Sequence, residues 1–375
     1  MLIARAPLRV SFFGGGTDLP AYYERHGGAV LSTTIDRYVY VILNVHQRGA
    51  LEITSSDYRT FYRHEPGEPL FWDGDLSLPK AVLQHFGVEQ GVSIFLASQV
   101  PPGTGLGSSS SVTVALIKAI GAACNYHQTP GELAELACSI EILKLGRPIG
   151  VQDQYAAAFG GLNWMRFGGD GVTIERLLVE PATLRRLENS LLLMFVGSAH
   201  DSAEILARQT RSSREENPRV IDALQAVHGL AEQARDLLLR GELDSFGRLL
   251  DAAWQHKKRF DEGISNERID RCYALARAHG ALGGKIGGAG GGGFLILYCE
   301  EGARERVAAL LAREGLRRLD CFFEEDGARV LFNAGLRLHD HELPRNGAPG
   351  GNHRRPWEPP TAVSVAGETG SEAEA

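Results

Sequence analysis

The sequence predicts an α+β protein of two domains, and three observations carry that prediction. Stretches rich in β-branched and aromatic residues precede a glycine loop, and the loop runs straight into an apolar helix. From about Leu191 the chain turns to Arg-, Glu- and Leu-rich helical stretches interleaved with a few strands, as helix-on-sheet packing requires. From about Leu336 apolar periodicity stops and Pro, Gly and small polar residues take over. These changes divide the chain into residues 1–188, 189–335 and 336–375, the last read as a disordered tail.

Residues 5–13 read as an opening strand, with Pro7 near its start as strands tolerate. The strand ends in Gly14-Gly15-Gly16-Thr17-Asp18-Leu19-Pro20, which is either a turn capped by Thr17 or Asp18 or a loop bringing backbone and a carboxylate to a ligand. Residues 29–35 and 38–45 are expected strands with Asp36-Arg37 between them, followed by strands at 51–55 and 92–97 and a helix at 78–86. Thr129-Pro130-Gly131-Glu132 is a capping box with proline at the first helical position. Leu133, Leu136, Ala137, Ile140 and Leu143 continue that helix on one face, with Glu141 near the edge of the stripe. Asp153 follows Gly146-Arg147-Pro148 at the next helix start, where an aspartate is ordinarily a cap.

In the second half a strand is expected at 191–196, helices at 202–216, 218–240, 243–260 and 266–279, and a glycine loop at 283–293 containing Lys285. A strand at 294–299, a helix at 304–313 and strands at 321–324 and 329–332 complete it.

Composition excludes several classes of function. Of 375 residues, 43% are hydrophobic and 23% charged, the profile of a globular protein with room for two cores. A net charge of −7 gives no electrostatic reason to expect nucleic acid or an anionic membrane as partner. No apolar run approaches the ~18 residues of a membrane-spanning helix, and the N-terminus has no apolar core of a signal peptide. The five scattered cysteines form no CxxC pair and read as free thiols, which together point to the cytoplasm.

The chemistry begins at Pro101-Pro102-Gly103-Thr104-Gly105-Leu106-Gly107-Ser108-Ser109-Ser110-Ser111. A glycine loop feeding a helix N-terminus aims free N–H groups and the positive dipole end at one spot, which suits phosphate, and the serines offer capping hydroxyls. A tight packing turn is the plainer alternative. Gly288 to Gly293 matches GxGxxG, yet a strand rather than a helix comes after it, so it is no dinucleotide fingerprint. No Walker loop and no HRD or DFG motif of protein kinases occurs. Phosphoryl transfer needs a phosphate cradle, a divalent cation, a group acting on the attacking hydroxyl and a positive charge. Serines of the loop with Glu141 could ligate Mg²⁺, Asp153 could take the hydroxyl proton, and Arg9 or Lys285 could supply the charge.

Together the three motifs at 5–18, 101–111 and 285–293 resemble the GHMP kinase family, named for galactokinase, homoserine kinase, mevalonate kinase and phosphomevalonate kinase. The resemblance covers about residues 1–335 and implies a ribosomal-S5-like first domain, a ferredoxin-like second domain, and ATP with Mg²⁺ between them. It implies that Pro102, Gly103, Thr104, Gly105, Leu106, Gly107, Ser108, Ser109 and Ser110 hold the ATP phosphates and that Ser109 and Glu141 ligate Mg²⁺. Asp153 becomes the catalytic aspartate and Arg9 the stabiliser of the transition state. Gly15, Gly16, Thr17, Asp18, Asp36, Gly288, Ala289 and Gly290 fall on the substrate side.

One departure narrows the substrate. Galactokinase-like members carry a Glu-His pair where this chain has Gly15-Gly16, which leaves room for a longer or phosphorylated sugar. The runs Phe13-Gly14-Gly15-Gly16-Thr17-Asp18-Leu19-Pro20, Gly150-Val151-Gln152-Asp153-Gln154-Tyr155 and Gly263-Ile264-Ser265-Asn266 resemble the branch that phosphorylates the anomeric hydroxyl of D-glycero-D-manno-heptose 7-phosphate. His200 stands where that branch is expected to carry arginine, so an octose phosphate or L-fucose stays open as substrate. Arg37, His200, Lys257 and Lys258 are candidates for a second phosphate, each also readable as a solvated surface charge. The expected partners are ATP and a small sugar phosphate, with a homodimer as an open option. A catalytically silent sugar or nucleotide sensor, or a scaffold, is the alternative class.

Overall fold

The computed structural model describes residues 1–46, 49–57, 59–197 and 202–338. The expected tail at 336–375 lies outside them beyond Leu338, and so does His200.

The first part is built on one long antiparallel pair. Strand β1 (Leu2–Phe13) precedes helix α1 (Pro20–His26) and pairs with β2 (Gly28–Val45). The two strands expected at 29–35 and 38–45 are thus one, and Asp36-Arg37 is a bulge within it. Partners jump from Pro7↔Tyr38 to Leu8↔Ile35. Pro7 has no N–H for the ladder, so the extra residues are absorbed there. Next come β3 (Leu51–Ser55), β4 (Thr60–His64), α2 (Ser77–His85), β5 (Val92–Ser98), α3 (Ser108–Ala123), α4 (Pro130–Cys138) and α5 (Gln152–Phe159). Strands β6 (Leu162–Gly168) and β7 (Gly171–Arg176) form a hairpin that the sequence pattern does not announce. Helix α6 (Pro181–Ser190) is likewise unannounced.

The second part comprises β8 (Leu191–Gly197), α7 (Ser202–Arg214), α8 (Pro218–Leu239), α9 (Leu243–Lys257), α10 (Glu267–Ala278), β9 (Ala281–Ile286), β10 (Gly293–Cys299), α11 (Arg304–Arg313) and β11 (Arg317–Leu319). Its strands form an antiparallel sheet in the order β11-β8-β10-β9. Lys285 therefore lies in a strand, and the loop begins only after Ile286. The chain then returns: β12 (Phe323–Glu324) pairs with β2, and β13 (Arg329–Asn333) pairs with β1. Residues 189–335 are thus not confined to the second sheet. Among the described residues the first sheet has nine strands, with β13-β1-β2-β5-β3-β4 along its main path.

The two sheets are joined by a buried aromatic contact. β1 is buried on both faces over its second half: Leu8, Val10 and Phe12 pack into the core, while the alternating Arg9 and Ser11 line the cleft. Phe12 and Phe13 both meet the Phe246 ring of α9 edge-on, with centroids 5.7 and 5.0 Å apart. That packing seats α9, with Lys257 at its end, beside the strand that carries Arg9.

Candidate active site

A cleft of about 1040 Å³ runs between the phosphate loop, the glycine turn after β1, and the ends of α7, α9 and β9. Its floor is Arg9, held in β1 with 4% exposure. Arg9 Nε and Nη2 donate to Asp153 Oδ1 and Oδ2 at 2.7 and 2.8 Å, a bidentate pair. Nη1 donates to the Gly105 carbonyl at 2.5 Å, and the Arg9 backbone N–H donates to Leu106 O at 3.0 Å. One arginine thereby fixes both the carboxylate and the loop.

The loop at 103–107 turns through three glycines with φ of 72°, 82° and 78°. It is braced from behind by the second glycine segment. A Cβ on Gly105 would lie 2.4 Å from Gly287 O, and one on Gly293 would lie 2.3 Å from Thr104 O. Backbone meets backbone there, which explains why both segments are glycine-rich. The expected serine capping is not observed: α3 starts after Gly107 with no side-chain cap, and Ser111 Oγ donates instead to Pro7 O at 2.8 Å. The first-turn N–H groups of α3 are consequently left for a ligand.

Glu141 is fully buried. The helix that the sequence runs straight through residue 143 changes to a π-helix over Ser139–Lys144, and the wider turn swings Glu141 inward from the stripe's edge. Gln154 Nε2 donates to its Oε1 at 3.1 Å, whereas Oε2 has no hydrogen bond. The nearest cation to Oε2 is Arg147 Nη1 at 3.5 Å, which also donates to Ser109 Oγ at 2.8 Å. Burial pushes the Glu141 carboxyl up, opposed mainly by Arg147. Among the described residues no cluster of three His, Cys, Asp or Glu side chains could hold a metal. An orphaned carboxylate oxygen near serine hydroxyls nevertheless fits Mg²⁺, which takes few protein carboxylates and keeps its waters.

The opposite wall is the glycine turn. Asp18 is buried, its Oδ1 accepting from Gly16 N at 2.9 Å and its Oδ2 from Gln152 N at 3.3 Å. Burial, then Asp153, raises its carboxyl above the usual range. Among the described residues three buried polar atoms here lack a hydrogen-bond partner, Ser11 Oγ, Gln152 Oε1 and Gln209 Nε2, and Lys285 Nζ has neither a hydrogen bond nor an ion pair. Lys257 Nζ donates to Ile286 O and Gly288 O at 2.9 and 2.6 Å. Burial, then Arg9, lowers Lys257 to about 7. Burial, then Lys257 and Arg9, takes Lys285 well below the ordinary lysine range.

Arg9, Asp18, Asp153, Glu141, Gly15, Gly16, Gly103, Gly105, Gly107, Ser108, Ser109, Ser110, Gly288 and Ala289 are thus brought together. Pro102, Thr104 and Leu106 shape the loop without lining the cleft. Three residues expected on the substrate side do not line the cleft. Asp36 accepts from Arg37 Nη1 and from Phe322 N, so it anchors the returning chain. Thr17 Oγ1 donates to Gly14 O and Ala29 O and is buried, a local staple. Gly290 packs on Ile264, where a Cβ would come within 2.8 Å of its Cα. Arg37 and Lys258, candidates for a second phosphate, are engaged with Asp36 and Asp270 instead. The sequence reading missed Ser11, Gln152, Gln209 and Arg147. Ser11 shares a strand face with Arg9 by the period of two, and Gln209 replaces an apolar residue one turn after Ile205.

Comparison with known proteins gives the family. The family model for the GHMP kinases N terminal domain matches residues 77–161, and that for the GHMP kinases C terminal domain matches residues 234–316. A D-glycero-alpha-D-manno-heptose 7-phosphate kinase of Campylobacter jejuni is 30% identical over 87% of this chain and 97% of that one. The chain belongs to the GHMP kinase family. It is an ATP-dependent kinase, with the family's two-part α+β fold. A mevalonate kinase of Thermococcus sibiricus is 28% identical over 84% of this chain and 98% of its own. A solved D-glycero-D-manno-heptose 1-phosphate kinase from Bacteriodes thetaiotaomicron superposes with a TM-score of 0.75 at 28% identity, covering 89% of this chain and 99% of that one. For this GHMP kinase, no helix among the described residues is long and apolar enough to cross a membrane.

Proposed function

We propose that this kinase phosphorylates the anomeric hydroxyl of a sugar phosphate, with D-glycero-alpha-D-manno-heptose 7-phosphate as substrate and the 1,7-bisphosphate as product. The observation that carries the reading is the wall of unpartnered buried groups, Ser11 Oγ, Gln152 Oε1 and Gln209 Nε2, around Gly15-Gly16. Buried polar atoms are ordinarily satisfied, and a polyol offers both donors and acceptors to satisfy these. A Cβ on Gly16 would lie 2.8 Å from Gln209 Nε2 and 3.0 Å from the Phe260 ring, so a bare turn is what leaves the space open. The heptose phosphate kinases among the relatives support the same substrate class.

In this reading the ATP phosphates lie on the loop N–H groups and the start of α3. Glu141, with Ser109 and Ser110, would hold Mg²⁺, which when bound neutralises charge on the phosphates. Asp153 receives the proton of the C1 hydroxyl as its oxygen bonds to the γ-phosphorus and the bond to the β-bridging oxygen breaks, leaving ADP. The Arg9 guanidinium aims that carboxylate through its two parallel hydrogen bonds. Kinetics with ATP, Mg²⁺ and a panel of heptose, octose and hexose sugars and their phosphates test the reading. Heptose 7-phosphate turnover above the others is the expected result. Turnover of L-fucose or other free hexoses with none on heptose 7-phosphate overturns the substrate, and ATP binding with no transfer to any sugar overturns the kinase.

A further inference from the structure

We propose that Lys285, backed by Lys257, is the subsite for a phosphate on the acceptor remote from the hydroxyl that is phosphorylated. The inference rests on the acceptor being a sugar and adds which residues read its charge. Lys285 lies at the end of β9 and lines the cleft with 4% exposure. Among the described residues its ammonium makes no hydrogen bond and no ion pair, unlike that of Lys257, which two carbonyls hold. Its position is on the acceptor side. The point where Gly15 would carry a Cβ is 4.0 Å from Lys285 Nζ, 3.5 Å from Ser11 Oγ and 3.6 Å from Gln152 Nε2.

The surrounding charges leave this ammonium uncompensated. Arg9 is neutralised by Asp153 through its bidentate pair. Among the described residues the charge of Asp18 favours Lys285, while Lys257 and Arg9 both repel it. Two buried lysines thus face one buried aspartate that is already engaged by Gly16 N and Gln152 N. An amine facing the cleft beside two other cationic side chains is favoured in its charged form by a bound anion. Lys285 borders the glycine turn as well as Arg9, so comparing phosphorylated and unphosphorylated acceptors is what separates a sugar phosphate from the ATP phosphates. A second phosphate on the sugar places a dianion there.

The test compares D-glycero-D-manno-heptose 7-phosphate with the unphosphorylated heptose as acceptors for the full chain. Wild type should prefer the phosphorylated sugar in kcat/KM, and Lys285→Met should lower that preference roughly 10- to 100-fold, the value of a lost charge-assisted contact. Lys285→Arg should retain part of the preference. The methionine variant should also melt above wild type and gain less thermal stability from added heptose 7-phosphate. If it loses the same factor on both sugars, so that the preference survives, the subsite is wrong while the sugar-kinase reading stands. If wild type turns over both sugars equally, the phosphate-bearing acceptor fails and the subsite with it. Should the methionine variant not fold, Lys285→Gln puts the same question with a polar tip.

Discussion

Arg9 and Asp153, 144 residues apart in the chain, are joined by two parallel hydrogen bonds of 2.7 and 2.8 Å. Strand β1 and helix α5 are thereby locked together at the floor of the cleft, where the proposed transfer would take place. The buried guanidinium gives Asp153 its direction, since a fork-to-fork pair fixes the carboxylate plane. Asp153→Asn keeps the shape and removes the charge. Turnover should fall about 100- to 10,000-fold, with ATP affinity changed no more than several-fold. Initial rates and nucleotide titration calorimetry check both parts, and retained turnover would take Asp153 out of its role.

Glu141 presents an oxygen without a hydrogen bond to the space that Arg147 and Ser109 share. Glu141→Gln leaves the Gln154 contact available in outline but withdraws the anion. The Mg²⁺ concentration needed for half-maximal turnover should rise by about tenfold or more. Its melting temperature should not drop, because a buried carboxylate is itself unfavourable. A variant with unchanged Mg²⁺ dependence would mean that Glu141 serves only the fold.

Gly150 is where Asp18 is seated. A Cβ at that position would stand 1.9 Å from Asp18 Oδ2, and its φ lies outside the left-handed region, so the conflict is steric alone. Gly150→Ala should push Asp18 off its two N–H donors, at a cost of about 1–3 kcal/mol in stability. KM for the sugar should rise more than KM for ATP. Denaturant unfolding and steady-state kinetics measure the two effects separately.

Lys257 is lowered to about 7 by burial and by Arg9. Lys285, Arg9 and Asp18 are the other charged groups facing this part of the cleft. At pH 8 the lysine is therefore mostly neutral in the empty enzyme, and an anion bound nearby raises its pKa again. Binding of heptose 7-phosphate at pH 8 should take up a proton, seen calorimetrically as an enthalpy that changes with the buffer's ionisation heat. At pH 6, where Lys257 is already charged, the uptake from this group should vanish. For folding the sign is opposite to a paired lysine: the unfolded chain holds the proton up to its ordinary pKa, so this group's contribution to stability improves as pH rises above about 7.

By itself the sequence determined the α+β class, and it singled out the glycine loop at 103–107 with Arg9, Asp18, Glu141 and Asp153, which the fold brings to one cleft. These are local signals: glycine spacing, a helix start, and motif order along the chain. It also marked most element boundaries, because period-2 and period-3.6 patterns record which face is buried. Only the tertiary structure decided which residues meet. The Arg9–Asp153 fork, the bracing of the 103–107 loop by Gly287 and Gly293, and the return of β12 and β13 to the first sheet are contacts between distant segments, and no local pattern encodes them. The same is true of the exclusions. Asp36 and Thr17 carry side chains that suit a sugar, yet Asp36 Oδ1 accepts from Phe322 N and the Thr17 hydroxyl is used by the Gly14 and Ala29 carbonyls. The π-turn that aims Glu141 inward is equally invisible, since it changes the helix pitch without changing the apolar pattern. Chemistry of a side chain is written in its identity, but whether that side chain is free to use it depends on what the fold places against it.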